Sequence, residues 1–352
     1  MEKSHSTSPT CCCQKQLGSA AVQSPTSGEL DLSRIPTVST KLNWVDRLSA
    51  WKMRWGIGRD RYRITPGLYA VGHPTKEDVV LVSSNYKLSF DALRKELAHI
   101  NTWILVLDTK GINVWCAAGK GTFGTGELVR QIVATDLAQV VSHRTLILPQ
   151  LSASGVSGFE VKRQSGFTVV FGPIRAADIK SFLDRGMKAD SRMRRMTFPL
   201  VDRMKVVPVE LVSAMKYFLI YAVLVALWLF ARSALTAGRL SNDLFPVLGA
   251  ILIGTVAVPF LLPWIPFRSF TLKGWLVGFL WAIFLGYIQR TGIPMLIGNV
   301  LLLPAISAFL ALNFTGSTTF TSQNGVNKEI RIFARPMAIT ALAGILLIII
   351  GR

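Results

Sequence analysis

The sequence predicts an α/β domain of the doubly wound, Rossmann-like class, followed by an all-α transmembrane bundle of five helices. Two observations predict this order. Between residues 66 and 186, short apolar runs alternate with helical patterns, which is typical of a mostly parallel sheet with helices on both faces. Between residues 211 and 350, long apolar stretches are interrupted only by short polar gaps. Each stretch is near the roughly 20 residues that a helix needs to cross a bilayer.

The N-terminal region divides into a tail and a basic segment. Residues 1–40 are rich in Ser, Thr, Pro and Gly and lack periodicity, so they are predicted to form a disordered tail. The tail contains no apolar core of signal-peptide length, which predicts a cytoplasmic soluble half. Residues 41–65 form a basic amphipathic segment, with apolar side chains at helical spacing: Leu42, Val45, Leu48, Trp51 and Trp55. Such a helix lies either on the membrane surface or, more commonly, against its own domain.

Residues 66–190 make up the predicted α/β domain. Strands are predicted at 79–82, 103–107, 146–148 and 167–171, and helices at 89–100, 126–141 and 176–185. In doubly wound sheets, ligands bind beyond the carboxyl ends of the strands. Asp108 follows the second predicted strand, so the segment after Asp108 is expected at the ligand-binding edge.

A basic linker, residues 191–210, leads into the transmembrane domain of residues 211–352. The five spans are predicted at 211–231, 244–262, 270–288, 293–312 and 333–350. Lys and Arg near the span ends concentrate on the side of the soluble half, which predicts a multi-pass protein of the cytoplasmic (inner) membrane with its C-terminus outside. The polar loop 313–329 then faces the soluble domain. No carboxylate lies inside a predicted span, so the bundle is interpreted as an anchor or docking platform rather than an ion-coupled transporter.

Charge and cysteine content exclude two further classes. The formal net charge of +19 does not indicate nucleic-acid binding, because the basic residues form no stripe with interleaved aromatics and accompany no nucleic-acid motif. A reducing compartment makes disulfides unexpected. Of the four cysteines, Cys11, Cys12 and Cys13 fall in the predicted tail. Cys116 is therefore the only thiol in sequence that is predicted to fold.

Residues 111–125 carry the chemistry. Asn113 is a good N-cap residue, which makes Val114, Trp115 and Cys116 the first three residues of a short helix that Gly119 can end. At the third helical position, the unsatisfied N–H groups and the positive end of the helix dipole favour a thiolate over a thiol. A thiolate is both a nucleophile and a soft metal ligand.

Several interpretations of Cys116 remain open on the residues alone. A lone cysteine is more often a small buried hydrophobe. A cysteine nucleophile needs a base, which His73, His99 or His143 could supply only through tertiary contact. Zinc is disfavoured, because no Cys or His partner has finger-like spacing. Residues 119–124 match G-x-G-x-x-G only formally, since no acidic residue closes the next strand, although glycines before a helix can still cradle a phosphate-bearing tail.

Two segments resemble known corrinoid proteins. Residues 113–120, Asn-Val-Trp-Cys-Ala-Ala-Gly-Lys, closely resemble the cap-helix motif of the HgcA family, the corrinoid proteins of microbial mercury methylation. Residues 85–91, Asn-Tyr-Lys-Leu-Ser-Phe-Asp, resemble a sequence that this family shares with the large subunit of the corrinoid iron-sulfur protein of acetyl-CoA synthesis. The loop 313–329 also fits, so the resemblance covers about residues 60–350.

The resemblance implies a bound corrinoid, cobalamin or a related compound, in its base-off form. It implies that the thiolate of Cys116 is the lower axial ligand of cobalt and the catalytic residue, that Asn113 orients the ligand helix, and that Trp115 shields the cobalt face. The usual cobalamin signature D-x-H-x-x-G is absent. The implied cofactor-binding residues are Asn113, Val114, Trp115, Cys116, Ala117, Ala118, Gly119, Lys120, Gly121 and Thr122.

The resemblance also implies an activity and partners. The chain is expected to be a corrinoid-dependent methyltransferase that carries a methyl group, derived from methyl-tetrahydrofolate through a separate methyltransferase, to Hg(II) and forms methylmercury. It lacks the four cysteines of an iron-sulfur cluster besides Cys116, so a ferredoxin-like iron-sulfur electron donor is expected. The run Cys11 to Cys13 either collects Hg(II) or is a chance feature. Alternatives are a corrinoid methyl carrier with another acceptor, and a non-enzymatic membrane receptor or transporter with a nucleotide-binding domain.

Overall fold

The computed structural model describes residues 34–316 and 323–351. The run Cys11 to Cys13 and most of the predicted tail lie outside these residues. Within them, an α/β domain with a five-stranded sheet precedes five helices that are long and apolar enough to cross a membrane. The predicted fold class is therefore confirmed. Residues Ile35–Arg352 form one compact unit.

The sheet is mixed and has the order β1-β3-β2-β4-β5. Its strands are β1 (Gly67–Val71), β2 (Val80–Ser84), β3 (Thr102–Leu107), β4 (Thr145–Leu148) and β5 (Thr168–Phe171). The last four strands run parallel, while β1 pairs antiparallel with β3 at one edge. Every residue of β2 and β3 is buried, as expected for parallel strands that are covered on both faces. Strand β1 was not predicted from the sequence.

Seven α-helices precede or belong to the α/β domain within residues 34–184. They are α1 (Trp44–Arg54), α2 (Lys87–Arg94), α3 (Val114–Gly119), α4 (Thr125–Ala134), α5 (Leu137–Val140), α6 (Gly158–Ser165) and α7 (Ile179–Asp184). The single helix predicted at 126–141 is wrong, because Asp136 adopts a left-handed φ of 46° and separates α4 from α5. The helix predicted at 89–100 instead begins at Lys87 and ends at Arg94. A 3-10 turn, Ala176–Asp178, precedes α7.

Part of the predicted tail is ordered against the sheet. The N–H of Val38 donates to the carbonyl of Ala70 over 2.8 Å, and the N–H of Ala70 donates to the carbonyl of Pro36 over 3.0 Å. These bonds satisfy backbone groups on the outer edge of β1, which would otherwise have no strand beside them. The prediction that the tail extends to residue 40 is therefore wrong for residues 36–38.

The membrane half is a sequence of apolar helices. After the short α8 (Leu200–Met204) come α9 (Val207–Ala231), α10 (Ala237–Leu252), α11 (Val258–Leu261), α12 (Phe270–Gln289), α13 (Ile293–Gly316) and α14 (Gln323–Ile350). A π-helical segment, Ile253–Ala257, joins α10 to α11. Small residues allow close helix packing: a Cβ on Gly278 would lie 2.8 Å from the Cα of Pro304, and one on Gly344 would lie 2.8 Å from the carbonyl of Gly298.

The predicted polar loop 313–329 is helical wherever the structure describes it. Helix α13 continues to Gly316, and α14 begins at Gln323. The carboxylate of Glu329 accepts hydrogen bonds of 3.2 Å from the backbone N–H groups of Phe270 and Thr271. Glu329 thereby satisfies two of the donors that the start of α12 leaves open, and it connects α14 to α12.

The linker between the two halves is fastened at both ends. The guanidinium of Arg175 donates to the carbonyl of Thr197 and to the carboxylate of Asp202, over 3.2 and 2.9 Å. Arg203 donates to the carbonyl groups of Pro259 and Phe260, over 2.8 and 2.9 Å. The predicted basic linker therefore contacts the segment after β5 on one side. On the other side it continues into the first apolar helix and contacts the end of the second, at Pro259 and Phe260.

Candidate cofactor site around the Cys116 helix

Helix α3 begins as the sequence predicts. The side-chain oxygen of Asn113 accepts a hydrogen bond of 2.9 Å from the backbone N–H of Cys116, and Asn113 itself has extended backbone angles. Cys116 is thus the third residue of a helix that runs from Val114 to Gly119. Gly121 follows with a φ of 78°, a left-handed angle that suits glycine and ends helices.

The loop before α3 is organised by Asn85, a buried residue that directly follows β2. Its side-chain oxygen accepts hydrogen bonds from the N–H of Thr109, the hydroxyl of Thr109 and the N–H of Gly111, over 3.1, 2.9 and 2.9 Å. Its amide nitrogen donates to Asp108 over 3.1 Å. One buried amide therefore fixes the turn that leads from β3 into α3, a role that was not predicted from the sequence.

A cavity of about 310 Å³ lies beside α3 at the carboxyl ends of β2, β4 and β5. The chain leaves β2 toward β3 on one side and later returns to β4 on the other, so the cavity occupies the point at which the strand order reverses. Such a point is where open α/β sheets bind ligands. The walls are mostly apolar and include Leu81, Ser83, Leu93, Asn113, Val114, Trp115, Ile147, Pro149, Leu151, Gly172, Pro173, Ile174 and Ile179.

Three of the predicted site residues, Asn113, Val114 and Trp115, form part of the cavity wall. Cys116 lies on the same helical turn, half-buried and free of any disulfide. Cys116 is close enough to Tyr86 to influence the pKa of its hydroxyl. Burial raises the pKa of Tyr86 most strongly, the nearby Arg59 lowers it, and charge on Cys116 raises it further. The thiol therefore lies within electrostatic range of the Tyr86 hydroxyl, on the helix whose first residues line the cavity.

The other predicted site residues lie away from the cavity wall. Ala117 and Ala118 are buried on the inner side of α3. Gly119, Lys120 and Gly121 are exposed, and Thr122 is half-buried. The alanines allow α3 to pack closely against the domain. At Ala118 the helix meets Gly155 so closely that a Cβ on Gly155 would lie only 2.9 Å from the backbone of Ala118. Their observed role is to seat the helix.

Most of the cavity wall was not predicted from the sequence. Ser83 is the last residue but one of β2, Pro149 directly follows β4, and Gly172 directly follows β5. Their positions at strand ends are the signal that could have identified them, because the carboxyl ends of parallel strands meet at one edge.

The three described histidines lie at the opposite edge of the sheet. His99 precedes β3, and His143 precedes β4. His73 follows β1, and β1 ends beside the amino end of β3 because the two strands run antiparallel. Cys116 follows the carboxyl end of β3. The alternative in which one of these histidines activates Cys116 is therefore wrong.

Comparisons with known proteins cover the α/β domain. The family described as CO dehydrogenase/acetyl-CoA synthase delta subunit matches residues 58–183. The acetyl-CoA decarbonylase/synthase complex subunit gamma of Methanopyrus kandleri is 34% identical over 130 residues, which cover 36% of this chain and 28% of the relative. The gamma subunit of Archaeoglobus fulgidus is 30% identical over 129 residues, covering 36% and 27%.

The gamma subunit of Methanocaldococcus jannaschii is 32% identical over 122 residues, which cover 34% of this chain and 25% of the relative. The chain therefore spans little more than a quarter of the length of these relatives. The matches support a soluble domain like that of corrinoid proteins of acetyl-CoA synthesis. They do not single out the HgcA family.

Proposed function

We propose that this chain is a membrane-anchored corrinoid methyltransferase in which Cys116 ligates cobalt and Hg(II) is the methyl acceptor. The observation that carries the proposal is the Asn113-capped turn, which holds Cys116 beside a cavity at the strand-order reversal. The similarity of the domain to subunits of a complex named for acetyl-CoA decarbonylation and synthesis gives independent support.

The residues fit a corrinoid. Cys116 offers a half-buried sulfur, a soft donor that suits cobalt. A corrin ring brings its own equatorial nitrogen ligands, so a single protein sulfur is sufficient. Apolar groups such as Trp115 and Pro149 line the neighbouring cavity, and apolar walls with few polar groups are typical of cofactor sites.

Asn113 and the helix set the position of the sulfur. Cys116 is the third residue of α3, and its backbone N–H donates to the side chain of Asn113. Gly155 and Ala118 hold α3 at close range to the domain, so the sulfur cannot retreat without moving backbone. Trp115 lines the adjoining cavity, and its apolar ring would shield a bound cofactor from water on that side. When bound, the corrinoid supplies a cobalt atom that accepts and releases a methyl group, and sulfur donation tunes that chemistry.

The identity of the acceptor and partners rests on the resemblance of residues 113–120 and of the five-helix tail to the HgcA family. Hg(II) is a soft ion that binds thiols tightly, so it is a suitable acceptor for a site whose own donor atom is a sulfur. The methyl group would come from methyl-tetrahydrofolate through a separate methyltransferase, and electrons from a ferredoxin-like protein. We place the chain in the cytoplasmic membrane with the soluble domain on the cytoplasmic side.

The test compares the full-length protein with Cys116→Ala. Both are purified without oxygen after corrinoid loading, their visible spectra are recorded, and methylmercury is measured after addition of methyl donor, reductant and Hg(II). We expect the wild type to be coloured and active, and Cys116→Ala to lose methylmercury formation. The matched control replaces Cys11, Cys12 and Cys13 by Ser, which leaves Cys116 in place. Full methylmercury production by Cys116→Ala would contradict the proposal.

A second candidate is a corrinoid methyl carrier with a different acceptor. It is favoured by the names of the relatives, which belong to an acetyl-CoA decarbonylase/synthase complex. A wild-type protein that binds corrinoid and accepts methyl groups, yet forms no methylmercury from Hg(II), would favour this candidate. A protein that copurifies with a nucleotide and binds no corrinoid would favour a receptor or transporter instead.

A further inference from the structure

The apolar side of α1 is exposed. Trp44, Val45 and Trp51 have 74%, 69% and 53% of their surface exposed, whereas Ser49 and Met53 on the other side are buried. Helix α1 packs on its own domain, as one of the two alternatives has it, but it does so through the side that carries Asp46, Ser49 and Met53, and its apolar side stays exposed. The side chains of Trp44, Val45, Leu48 and Trp51 form what we call the α1 apolar face.

Ion pairs hold α1 in this orientation. The carboxylate of Asp46 lies 2.8 Å from the ammonium of Lys87 and 2.7 Å from the guanidinium of Arg94, both on α2. Asn43 and Asp46 also form a reciprocal capping box at the start of α1. These contacts direct the polar side of α1 toward the domain, so the apolar face has to point outward.

The end of α1 lies at the level of a membrane surface. A Cβ on Gly56, two residues after α1, would contact the side chain of Val209 at 3.6 Å. Val209 is near the start of α9, whose apolar sequence ends at Ala231. Counting back the roughly 20 residues that cross the hydrocarbon core reaches about residue 211. Val209 is then about 3 Å beyond the core, within the headgroup layer.

The charges around α1 suit anionic lipid headgroups. Lys41, Arg47, Lys52 and Arg54 flank the apolar face, and Arg47 and Arg54 are exposed. The single acidic residue of α1, Asp46, is already paired with Lys87 and Arg94. Tryptophan is also enriched where membrane meets water. Basic charge, tryptophan and a narrow apolar face together are typical of helices that lie in a bilayer interface.

We propose that α1 lies in the headgroup region of the bilayer that α9 to α14 cross, with its apolar face against the lipid acyl chains and its basic residues near lipid phosphates. This docking would set the height of the Cys116 site above the membrane. Arg59, just beyond α1, lies 5.7 Å from the centre of the Tyr86 ring. The neighbouring Asn85 accepts hydrogen bonds from Thr109 and Gly111 in the loop before α3, so packed residues connect the end of α1 to the Cys116 helix. The proposal does not depend on which cofactor or acceptor the site uses.

The test measures lipid contact of two tryptophans in the full-length protein. Wild type and the double variant Trp44→Phe, Trp51→Phe are reconstituted into nanodiscs of anionic lipid, and the difference in fluorescence isolates Trp44 and Trp51. Phenylalanine keeps the face apolar, so the fold is retained. We expect this difference emission to be quenched by lipids brominated near the headgroup and to be protected from aqueous acrylamide.

Two results would overturn the proposal. Quenching by acrylamide without quenching by bromolipid would place the face in water, and quenching by neither would show that protein covers it. As a positional control, Phe159→Trp in the double variant puts a reporter at an exposed site on α6, where we expect acrylamide quenching alone. Lys41→Glu with Arg47→Glu should weaken bromolipid quenching at low ionic strength, because two favourable charges become repulsive.

Discussion

The side-chain oxygen of Asn113 accepts a hydrogen bond of 2.9 Å from the backbone N–H of Cys116. This one bond fixes the start of α3, the position of the thiol within it and the direction in which the remaining N–H groups point. A local polar contact thereby connects the sequence motif to the chemistry proposed for the site.

Replacing Asn113 by Ala should loosen the first turn of α3. Loss of an N-cap costs about 1 kcal/mol, and the thiolate of Cys116 would lose part of its orientation. We expect faster hydrogen exchange in residues 114–119 and an altered visible spectrum of the corrinoid-loaded protein. Asn113→Ser retains a capping oxygen and should restore both. A spectrum and exchange pattern unchanged in Asn113→Ala would show that the cap has no positioning role.

Replacing Asn85 by Ala should disrupt the loop between β3 and α3. The change removes an acceptor shared by Thr109 and Gly111 and leaves buried donors unpaired, which costs about 2 kcal/mol or more. Thermal unfolding of the full-length protein in detergent measures the loss.

The pKa of Asp108 provides a second way to test the role of Asn85. Lys110 lowers that pKa most strongly, and the amide of Asn85 contributes. Asn85→Asp keeps the acceptors but removes the donor, so it should raise the pKa of Asp108. An Asn85→Ala protein as stable as wild type would contradict the role assigned to this residue.

Gly155 should tolerate no side chain. A Cβ there would lie 2.4 Å from the carbonyl of Phe123 and 2.9 Å from the backbone of Ala118, so α3 would have to move. Overpacking of this kind typically costs about 1–3 kcal/mol, and we expect Gly155→Ala to lower corrinoid retention measured by absorbance. The matched control is Gly126→Ala on α4, where the added Cβ meets nothing within 4 Å. Equal corrinoid retention in both variants would contradict a role for the close contact between Gly155 and α3.

The stabilisation from Asp46 should depend on pH. Burial alone would raise its pKa, but hydrogen bonds from Lys87 and Arg94 outweigh burial and lower it from 3.8 to about 2. A lowered pKa contributes stability above the unfolded value, and that contribution is lost as pH falls from about 4 toward 2. Asp46→Asn should therefore melt earlier at pH 7, with a gap that narrows below pH of about 4. A gap independent of pH would argue against the ion pairs.

Local patterns determined what the sequence could predict. The four parallel strands, the five apolar helices and the cap at Asn113 depend mainly on neighbouring residues, and each was predicted, whereas helix α6 was not. The edge strand β1 was missed because its five residues are defined by pairing with β3, which lies far along the chain. The wall formed by Pro149 and Gly172 depends on the same kind of distant pairing.

The sequence also could not predict how elements are oriented relative to one another. The amphipathic pattern of α1 was visible, but which side faces the domain depends on Asp46 reaching Lys87 and Arg94 on α2. Likewise, His73, His99 and His143 could be excluded as partners of Cys116 only once the sheet showed them at its opposite edge.

Cobalt X-ray absorption of the purified, corrinoid-loaded protein tests the central claim most directly. Its fine structure distinguishes a sulfur neighbour of cobalt from nitrogen or oxygen, and the comparison of wild type with Cys116→Ala assigns that sulfur to one residue. We predict a sulfur neighbour in the wild type that disappears in Cys116→Ala. A wild-type spectrum with only nitrogen and oxygen neighbours, or a sulfur signal that persists without Cys116, would contradict the account.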